Sequence, residues 1–139
     1  MLKNSAKKVL VFGTFDGIHE GHRFFLREAK KIGAHLTVVV APDIQVETLK
    51  KHSPRFPLKK RMNDLEEEKI ADYVISGDET LGTWNVILEN KPDVVALGHD
   101  QDSLGKALES ASAHFPFRIE MKKIAPFKPE IFRSGLLNK

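Results

Sequence analysis

The sequence predicts an α/β protein: a single doubly wound domain of about five parallel strands with flanking helices. Short apolar runs alternate along the chain with stretches of helical periodicity, which is the pattern of a parallel sheet with crossover helices. The first runs are apolar throughout, as expected for strands that are buried on both faces. The length of 139 residues suits one domain with its own core, and no repeat or linker interrupts residues 1–139.

Five strands and five helices are expected. The predicted strands are residues 8–12, 36–40, 73–75, 94–97 and 118–121. The last one alternates polar and apolar residues, which favours an exposed edge strand. The predicted helices are residues 21–32, 43–49, 57–70, 83–90 and 103–112, with a single turn at 134–139. In the first helix one face is apolar, and Gly33 then provides a helix stop.

Composition excludes several classes of site. The chain has no cysteine, so disulfides, thiolate zinc sites and cysteine nucleophiles are ruled out. Its apolar runs have strand length, far short of the roughly 20 residues of a membrane span. Residues 1–8 are polar and basic and lack the apolar stretch of a signal peptide. A cytoplasmic location is the default expectation.

Positive charge is concentrated in one stretch, although the net charge is only +3. Residues 50–61 contain six cationic side chains and no acidic one: Lys50, Lys51, Arg55, Lys59, Lys60 and Arg61. This stretch is interpreted either as a solvated basic loop or as a site for a polyanion. A polyanion here would be a triphosphate or a nucleic-acid backbone.

Unusual residues follow two of the predicted strands, where ligands bind in doubly wound sheets. After the first strand, residues 13–22 read GTFDGIHEGH. Gly13 permits a close approach of backbone to ligand, and Thr14 offers a hydroxyl and an amide. His19 and His22 flank the start of the next helix, where free N–H groups and the helix dipole favour phosphate. Asp16 is interpreted as structural, orienting the loop or capping the helix.

The residue types of this segment also suit other kinds of site. His22 shares a helical face with Phe25 and Leu26, so it could be a core histidine. Metal binding by the histidine pair is disfavoured, because no cysteine exists and the other histidines are scattered. Neither a P-loop nor a G-x-G-x-x-G dinucleotide fingerprint is present.

The string GTFDGIHEGH closely resembles the G-T-F-D-x-x-H-x-G-H signature of the Rossmann-like, cytidylyltransferase-like nucleotidyltransferases. That superfamily includes glycerol-3-phosphate cytidylyltransferases, phosphopantetheine adenylyltransferases and archaeal-type FAD synthases. Class I aminoacyl-tRNA synthetases share H-x-G-H, but this chain is far too short to be one. The resemblance implies that Gly13, Thr14 and Phe15 belong to a nucleotide site.

The resemblance extends over most of the chain. Arg61 matches an arginine on the helix after the loop of the second strand. Gly98 and Asp100, in the string GHDQ, match the segment beside the nucleotide base. Near the C-terminus, Ser134 falls in a hydroxyl-rich motif that holds the β- and γ-phosphates. Arg133 and Gly135 replace the usual hydroxyl residues there, and Pro42 replaces a common arginine after the second strand.

The chemistry implied is in-line attack of an acceptor phosphate on the α-phosphorus of a nucleoside triphosphate, with release of pyrophosphate and no protein nucleophile. Mg²⁺ would bridge the triphosphate. His19 and His22 are assigned to the phosphates around the α-phosphorus, and Thr14 and Ser134 to phosphate oxygens. Lys50 and Arg61 are assigned to charge neutralisation, although Lys51 would serve almost as well as Lys50, and a solvated surface charge is the alternative for either lysine.

The GHDQ segment looks closest to archaeal-type FAD synthases, which favours ATP over CTP and FMN over glycerol 3-phosphate. Glycerol-3-phosphate cytidylyltransferases typically have a tryptophan where Gln101 follows Asp100. Aromatic residues for a flavin ring are available, each of which could equally belong to the core: Phe56, Trp84, Phe115 and Phe127. A non-catalytic nucleotide-binding module is the alternative class, and nucleic-acid binding ranks below it. Homodimers are common among small relatives.

Overall fold

The structure, a computed structural model, describes residues 7–80 and 82–127 of the chain. Its centre is one sheet of five strands, all parallel, in the order β3-β2-β1-β4-β5. The strands are β1 (Lys8–Gly13), β2 (His35–Val40), β3 (Tyr73–Ser76), β4 (Val94–Leu97) and β5 (Glu120–Lys123). This confirms the predicted doubly wound parallel sheet.

In the part of the chain that the structure describes, five helices cover the sheet or its carboxyl edge. They are α1 (Glu20–Lys30), α2 (Asp43–Lys50), α3 (Leu58–Glu68), α4 (Asn85–Asn90) and α5 (Asp102–Ser112). On one face, Leu26 of α1 and Leu65 of α3 join a buried cluster with alternate strand residues. On the other face, Ile87 of α4 and Leu108 of α5 form a second cluster. A sheet that is covered on both faces explains why the central strands consist mostly of apolar residues.

Element boundaries differ from the sequence-based prediction by up to two residues. Helices α1 and α3 end at Lys30 and Glu68, each two residues earlier than expected, and two further differences have a visible cause. Helix α4 begins at Asn85 rather than at residue 83, because Trp84 has a left-handed backbone with φ 57°. Strand β5 lies two residues further along than expected, because its position depends on pairing of Glu120 with Val94 on β4. Polar and apolar residues alternate around this edge strand, and that alternation alone does not fix its ends.

Strand β1 occupies the middle of the sheet, and the strand order reverses beside it. The chain runs from β1 outwards to β2 and β3 and then returns to form β4 on the other side of β1. Gln101 joins the carboxyl ends of these two strands: its Oε1 accepts from Gly98 N at 2.9 Å, and its Nε2 donates to Phe12 O at 2.9 Å. A crevice at such a reversal is the common ligand site of doubly wound sheets.

Within the described residues, no helix is long and apolar enough to cross a membrane. The segment around Ser134, with Arg133 and Gly135, lies outside the described residues, and so does the helical turn expected at 134–139.

Candidate active site

A cleft of about 1410 Å³ opens at the carboxyl ends of β1 and β4. It brings together eight of the residues that the sequence indicated: Gly13, Thr14, Phe15, His19, His22, Lys50, Gly98 and Asp100. Arg61 does not line the cleft in the described part of the chain. The cleft therefore collects residues from the ends of β1 and β4, from the start of α1 and from the end of α2.

The two histidines form the N-terminal cap of α1. His19 is the N-cap residue, and its Nδ1 accepts from Gly21 N at 3.1 Å. In return, Nδ1 of His22 accepts from His19 N at 3.2 Å. This reciprocal arrangement is the capping box usually made by a hydroxyl residue and a carboxylate or amide. Here two imidazoles take the place of those groups. The two histidines of the signature are therefore also the cap of the helix.

These hydrogen bonds fix the tautomer of both rings. An Nδ1 that accepts a backbone N–H carries no proton, so the proton of the neutral imidazole is on Nε2. The rings of His19 and His22 are stacked, with centroids 3.7 Å apart and planes 24° apart. Each ring therefore keeps one N–H donor, on Nε2, for a ligand.

His22 is held in its neutral form. Burial lowers its pKa from 6.5 to about 4, and the neighbouring His19 contributes in the same direction. The ring is half-buried and meets Phe15 edge-on, with centroids 5.2 Å apart. The core-histidine interpretation is thus partly right, because His22 packs against an aromatic core residue while it also lines the cleft.

Phe15 explains the need for glycine at position 13. Its backbone is left-handed, with φ 53°, and its side chain is buried. This conformation folds the ring back against β1, so that a Cβ on Gly13 would lie 2.5 Å from Phe15 Cε2. Any other residue at position 13 would displace Phe15 and, with it, the ring that supports His22.

Asp16 ties this segment to the basic stretch that follows α2. Its carboxylate accepts from Arg55 N at 2.7 Å and from Phe56 N at 2.9 Å. Burial alone would raise the pKa of Asp16, but these two backbone donors, with nearby arginines, lower it below its usual value. Of the two structural roles predicted for Asp16, the structure shows the first, because Asp16 orients the loop. The N-cap of α1 is His19 instead.

The basic stretch does not form one cationic surface. Lys50 and Arg55 are exposed and line the cleft, whereas Lys60 lies on α3 and pairs with Asp64 at 3.0 Å. Arg61 is fully buried. A ligand in the cleft therefore meets two of the six cations, which fits a small anion better than an extended backbone.

Arg61 binds four separate parts of the chain. Its Nη1 donates to Thr14 O at 2.9 Å and to Ala41 O at 2.8 Å, and its Nε donates to Phe56 O at 2.9 Å. Its Nη2 forms an ion pair with Asp43 at 2.5 Å. The phosphate contact expected of Arg61 stays a prediction, because these bonds direct its guanidinium to the loops behind the cleft.

Two residues that line the cleft have structural roles that the sequence did not indicate. The carboxylate of Asp78 accepts from Asn85 N at 2.6 Å and from Val86 N at 3.1 Å, so it caps α4 from a distance. Gln101 was assigned to the GHDQ segment and noted as a departure from the cytidylyltransferases, whereas in the structure it joins β1 to β4. Neither role has a local signal, because each depends on contacts made across the fold.

Comparison with known proteins places this chain in a family. The model of the family described as Cytidylyltransferase-like matches residues 10–136. The FAD synthase of Archaeoglobus fulgidus is 48% identical over 89 residues, covering 64% of this chain and 63% of that protein. The FAD synthase of Methanohalophilus mahii is 32% identical over 133 residues, covering 95% of this chain and 92% of that protein.

In the first of these relatives, as in the FAD synthase of Ferroglobus placidus, the match spans about three fifths of the relative's length. Among solved structures, a lipopolysaccharide core biosynthesis protein from Thermoplasma volcanium matches with a TM-score of 0.80 and 31% identity. That match covers 88% of this chain and 98% of the other. Sequence signature, fold and family model agree, and the chain belongs to the cytidylyltransferase-like family.

Proposed function

We propose that this protein is an FMN adenylyltransferase, which transfers the adenylyl group of ATP to FMN to form FAD and pyrophosphate. The observation that carries the proposal is the pair of stacked histidines at the start of α1, each with its Nδ1 bound to backbone and its Nε2–H free for a phosphate. The choice of ATP and FMN is supported by the relatives named FAD synthase.

In the proposed reaction, a phosphate oxygen of FMN attacks the α-phosphorus of ATP. A new P–O bond forms, the bond from the α-phosphorus to the bridging oxygen breaks, and pyrophosphate leaves with that oxygen. No protein nucleophile takes part. His19 and His22 would donate their Nε2–H groups to phosphoryl oxygens as charge shifts towards the leaving group. The free N–H groups at the start of α1 add to this electrostatic stabilisation.

The remaining predicted ligands take supporting roles. Lys50 and Arg55 would neutralise the charge of the triphosphate from the α2 side of the cleft. Thr14 would bind a phosphate oxygen, and Ser134, outside the described residues, is proposed for the β- and γ-phosphates. Gly98 and Asp100 line the end of β4, where the resemblance expects the adenine base. For Arg61 we propose positioning of the Thr14 backbone.

Mg²⁺ is proposed to enter with the nucleotide. The described residues contain no group of three histidine or acidic side chains that could hold a metal ion. The cleft presents the imidazoles of His19 and His22 and the cations of Lys50 and Arg55, so we propose that the triphosphate supplies most of the ligands of the metal. When bound, Mg²⁺ neutralises phosphate charge and favours departure of pyrophosphate.

The test is pyrophosphate release with ATP or CTP as donor and FMN or glycerol 3-phosphate as acceptor, in the presence of Mg²⁺. We expect turnover with ATP and FMN and its loss in the double variant His19→Asn, His22→Asn. Turnover restricted to CTP and glycerol 3-phosphate would replace the proposal with the cytidylyltransferase alternative. Nucleotide binding without pyrophosphate release from any pair would favour the non-catalytic module. A cytoplasmic location and a homodimer remain predictions.

A further inference from the structure

Trp84 has a left-handed backbone, which is unusual for a bulky residue and for a position just before a helix. Five non-glycine residues in the described chain have positive φ values. Three of them, Lys51, Lys69 and Lys91, end helices, where a left-handed residue is common. Trp84 instead precedes α4, with φ 57°. A bulky residue persists in this conformation only where its surroundings hold it there, and such residues cluster at functional sites.

A polar network holds Trp84 in place. The carboxylate of Asp78 accepts the N–H groups of Asn85 and Val86, which directly follow Trp84, and also the hydroxyl of Thr83, which precedes it. The residues on both sides of Trp84 are thus bound to one carboxylate. The chain fixes the tryptophan before any ligand arrives.

The indole lies in the wall of the cleft beside the start of the signature segment. It meets Phe12 edge-to-face, with ring centroids 6.4 Å apart and planes at 82°. Phe12 directly precedes Gly13. Val39 of β2 and Val86 of α4 line the same cleft, and Gln45 and Asp78 add a few polar groups. An apolar wall with a few polar groups and a half-buried aromatic ring is typical of a site for a planar ligand.

We propose that Trp84 stacks on the flavin ring of the acceptor and thereby determines acceptor specificity. This inference rests on the proposed FMN adenylyltransferase function. Phe12 and Val39 place the indole over β1 and β2, whereas Gly98 and Asp100 follow β4 on the other side of β1. The cleft thus offers separate places for two planar rings, with the histidines at the end of β1. The flexible ribityl chain of FMN would join a ring at Trp84 to a phosphate at His19 and His22.

The experiment uses the full chain and the variants Trp84→Leu and Trp84→Phe. Phe117→Leu is the matched control, because Phe117 packs against the same apolar cluster as Trp84 but does not line the cleft. For each protein, FMN binding is followed by flavin fluorescence, ATP binding by calorimetry and FAD formation by chromatography. Trp84 is the only tryptophan in the chain, so quenching of bound flavin by an indole reports on this residue alone.

We expect Trp84→Leu to weaken FMN binding by roughly tenfold or more, since aromatic stacking is worth about that factor, and to change the Kd of ATP by less than about twofold. Trp84→Phe should keep part of the FMN affinity, while the bound flavin regains its fluorescence because a phenyl ring does not quench it as an indole does. Phe117→Leu should match the unaltered protein in FMN affinity and in the fluorescence of the bound flavin.

Failures of the two proposals are distinguishable. FAD formation by the unaltered protein, with an FMN Kd and flavin quenching that Trp84→Leu and Trp84→Phe leave unchanged, would overturn the role of Trp84 alone. A loss of ATP affinity in both Trp84 variants, with FMN affinity retained, would assign the indole to adenine and also overturn the inference. Absence of both FMN binding and FAD formation in the unaltered protein would overturn the flavin acceptor and this inference together. If Trp84→Leu does not fold, Trp84→Phe and the quenching in the unaltered protein decide.

Discussion

His19 and His22 cap α1 for each other: each Nδ1 accepts a backbone N–H from the first turn, and the two rings stack with centroids 3.7 Å apart. The same contacts that cap the start of α1 select the tautomer that presents Nε2–H to the cleft. These two side chains therefore serve both helix capping and the proposed catalysis. A useful variant has to remove one of these roles and keep the other.

His19→Asn separates the cap from the proposed donor. An asparagine oxygen is a good N-cap acceptor, so the free energy of unfolding should change by less than about 0.5 kcal/mol. The Nε2–H donor is lost, and we expect kcat to fall by about 10²–10³-fold, as when one preorganised donor is removed from an oxyanion site. His19→Ala removes both functions and should cost a further ~1 kcal/mol of stability. Urea denaturation and steady-state kinetics measure the two effects, and normal kcat in His19→Asn would rule out His19 as a phosphate donor.

The neutral state of His22 predicts an acid-sensitive stability. Burial lowers its pKa to about 4, below the ordinary 6.5 of the unfolded chain, so between these pH values the unfolded state binds more protons. The stabilisation is fully present above pH 6.5 and is lost progressively as the pH falls towards 4. We expect the free energy of unfolding to fall less steeply in His22→Gln than in the unaltered protein over this range. Parallel curves from urea denaturation at pH 7, 5.5 and 4.5 would contradict the lowered pKa.

Arg61 should be the most sensitive position behind the cleft. Arg61→Met leaves the carbonyls of Thr14 and Ala41 without their donor and Asp43 without its ion pair, and we expect a loss of about 3 kcal/mol in the free energy of unfolding. Arg61→Lys should recover little, because an ammonium group cannot reproduce the planar fork of donors.

The control for Arg61 is its neighbour on α3. Lys60→Met breaks only an exposed ion pair with Asp64, so a change of less than about 0.5 kcal/mol is expected. Equal effects at positions 60 and 61 in urea denaturation would show that the buried network contributes nothing beyond a surface charge.

Lys50 and its neighbour offer a matched pair for the phosphate site. Lys50 lines the cleft in the last turn of α2, whereas Lys51 ends that helix in a left-handed conformation and does not line it. We expect Lys50→Gln to raise the KM for ATP by about five- to tenfold, with a weaker effect at high salt, because a mobile exposed cation contributes a screened attraction. Lys51→Gln should leave the KM within twofold. Equal changes in the KM for ATP in the two variants would mean that the basic stretch attracts ATP only through its overall charge.

The sheet could be predicted from the sequence because strands that are buried on both faces are almost wholly apolar: in residues 8–12 and 36–40 only Lys8 and Thr37 are polar. The histidine segment was predicted because its chemistry is local, with all residues within ten positions. Several boundaries were missed, and two of them depend on backbone conformation and strand pairing. Trp84 shortens α4 through its left-handed backbone, and β5 takes its position from β4.

The supporting contacts of the site could not be predicted, because they join polar side chains to backbone atoms far away in sequence. Asp16 binds Arg55 and Phe56 some 40 residues later, and no periodicity marks such a pair. For Arg61 the family resemblance indicated charge neutralisation, but the sequence could not show that three of its hydrogen bonds go to backbone carbonyl groups. A side chain that binds backbone leaves no complementary residue type to search for.

The bond from Gln101 to the Phe12 carbonyl also bears on the order in which the protein is assembled. The two residues are 89 positions apart, and they join the first strand to be synthesised to the end of the fourth. On a growing chain, β1 can pair with β2 early, but its other edge stays open until β4 has been made. The cleft between β1 and β4 is therefore completed late in synthesis. A ligand that binds only the completed cleft stabilises the chain in which β4 already covers that edge of β1. It does not stabilise shorter nascent chains, in which β4 has not yet been made.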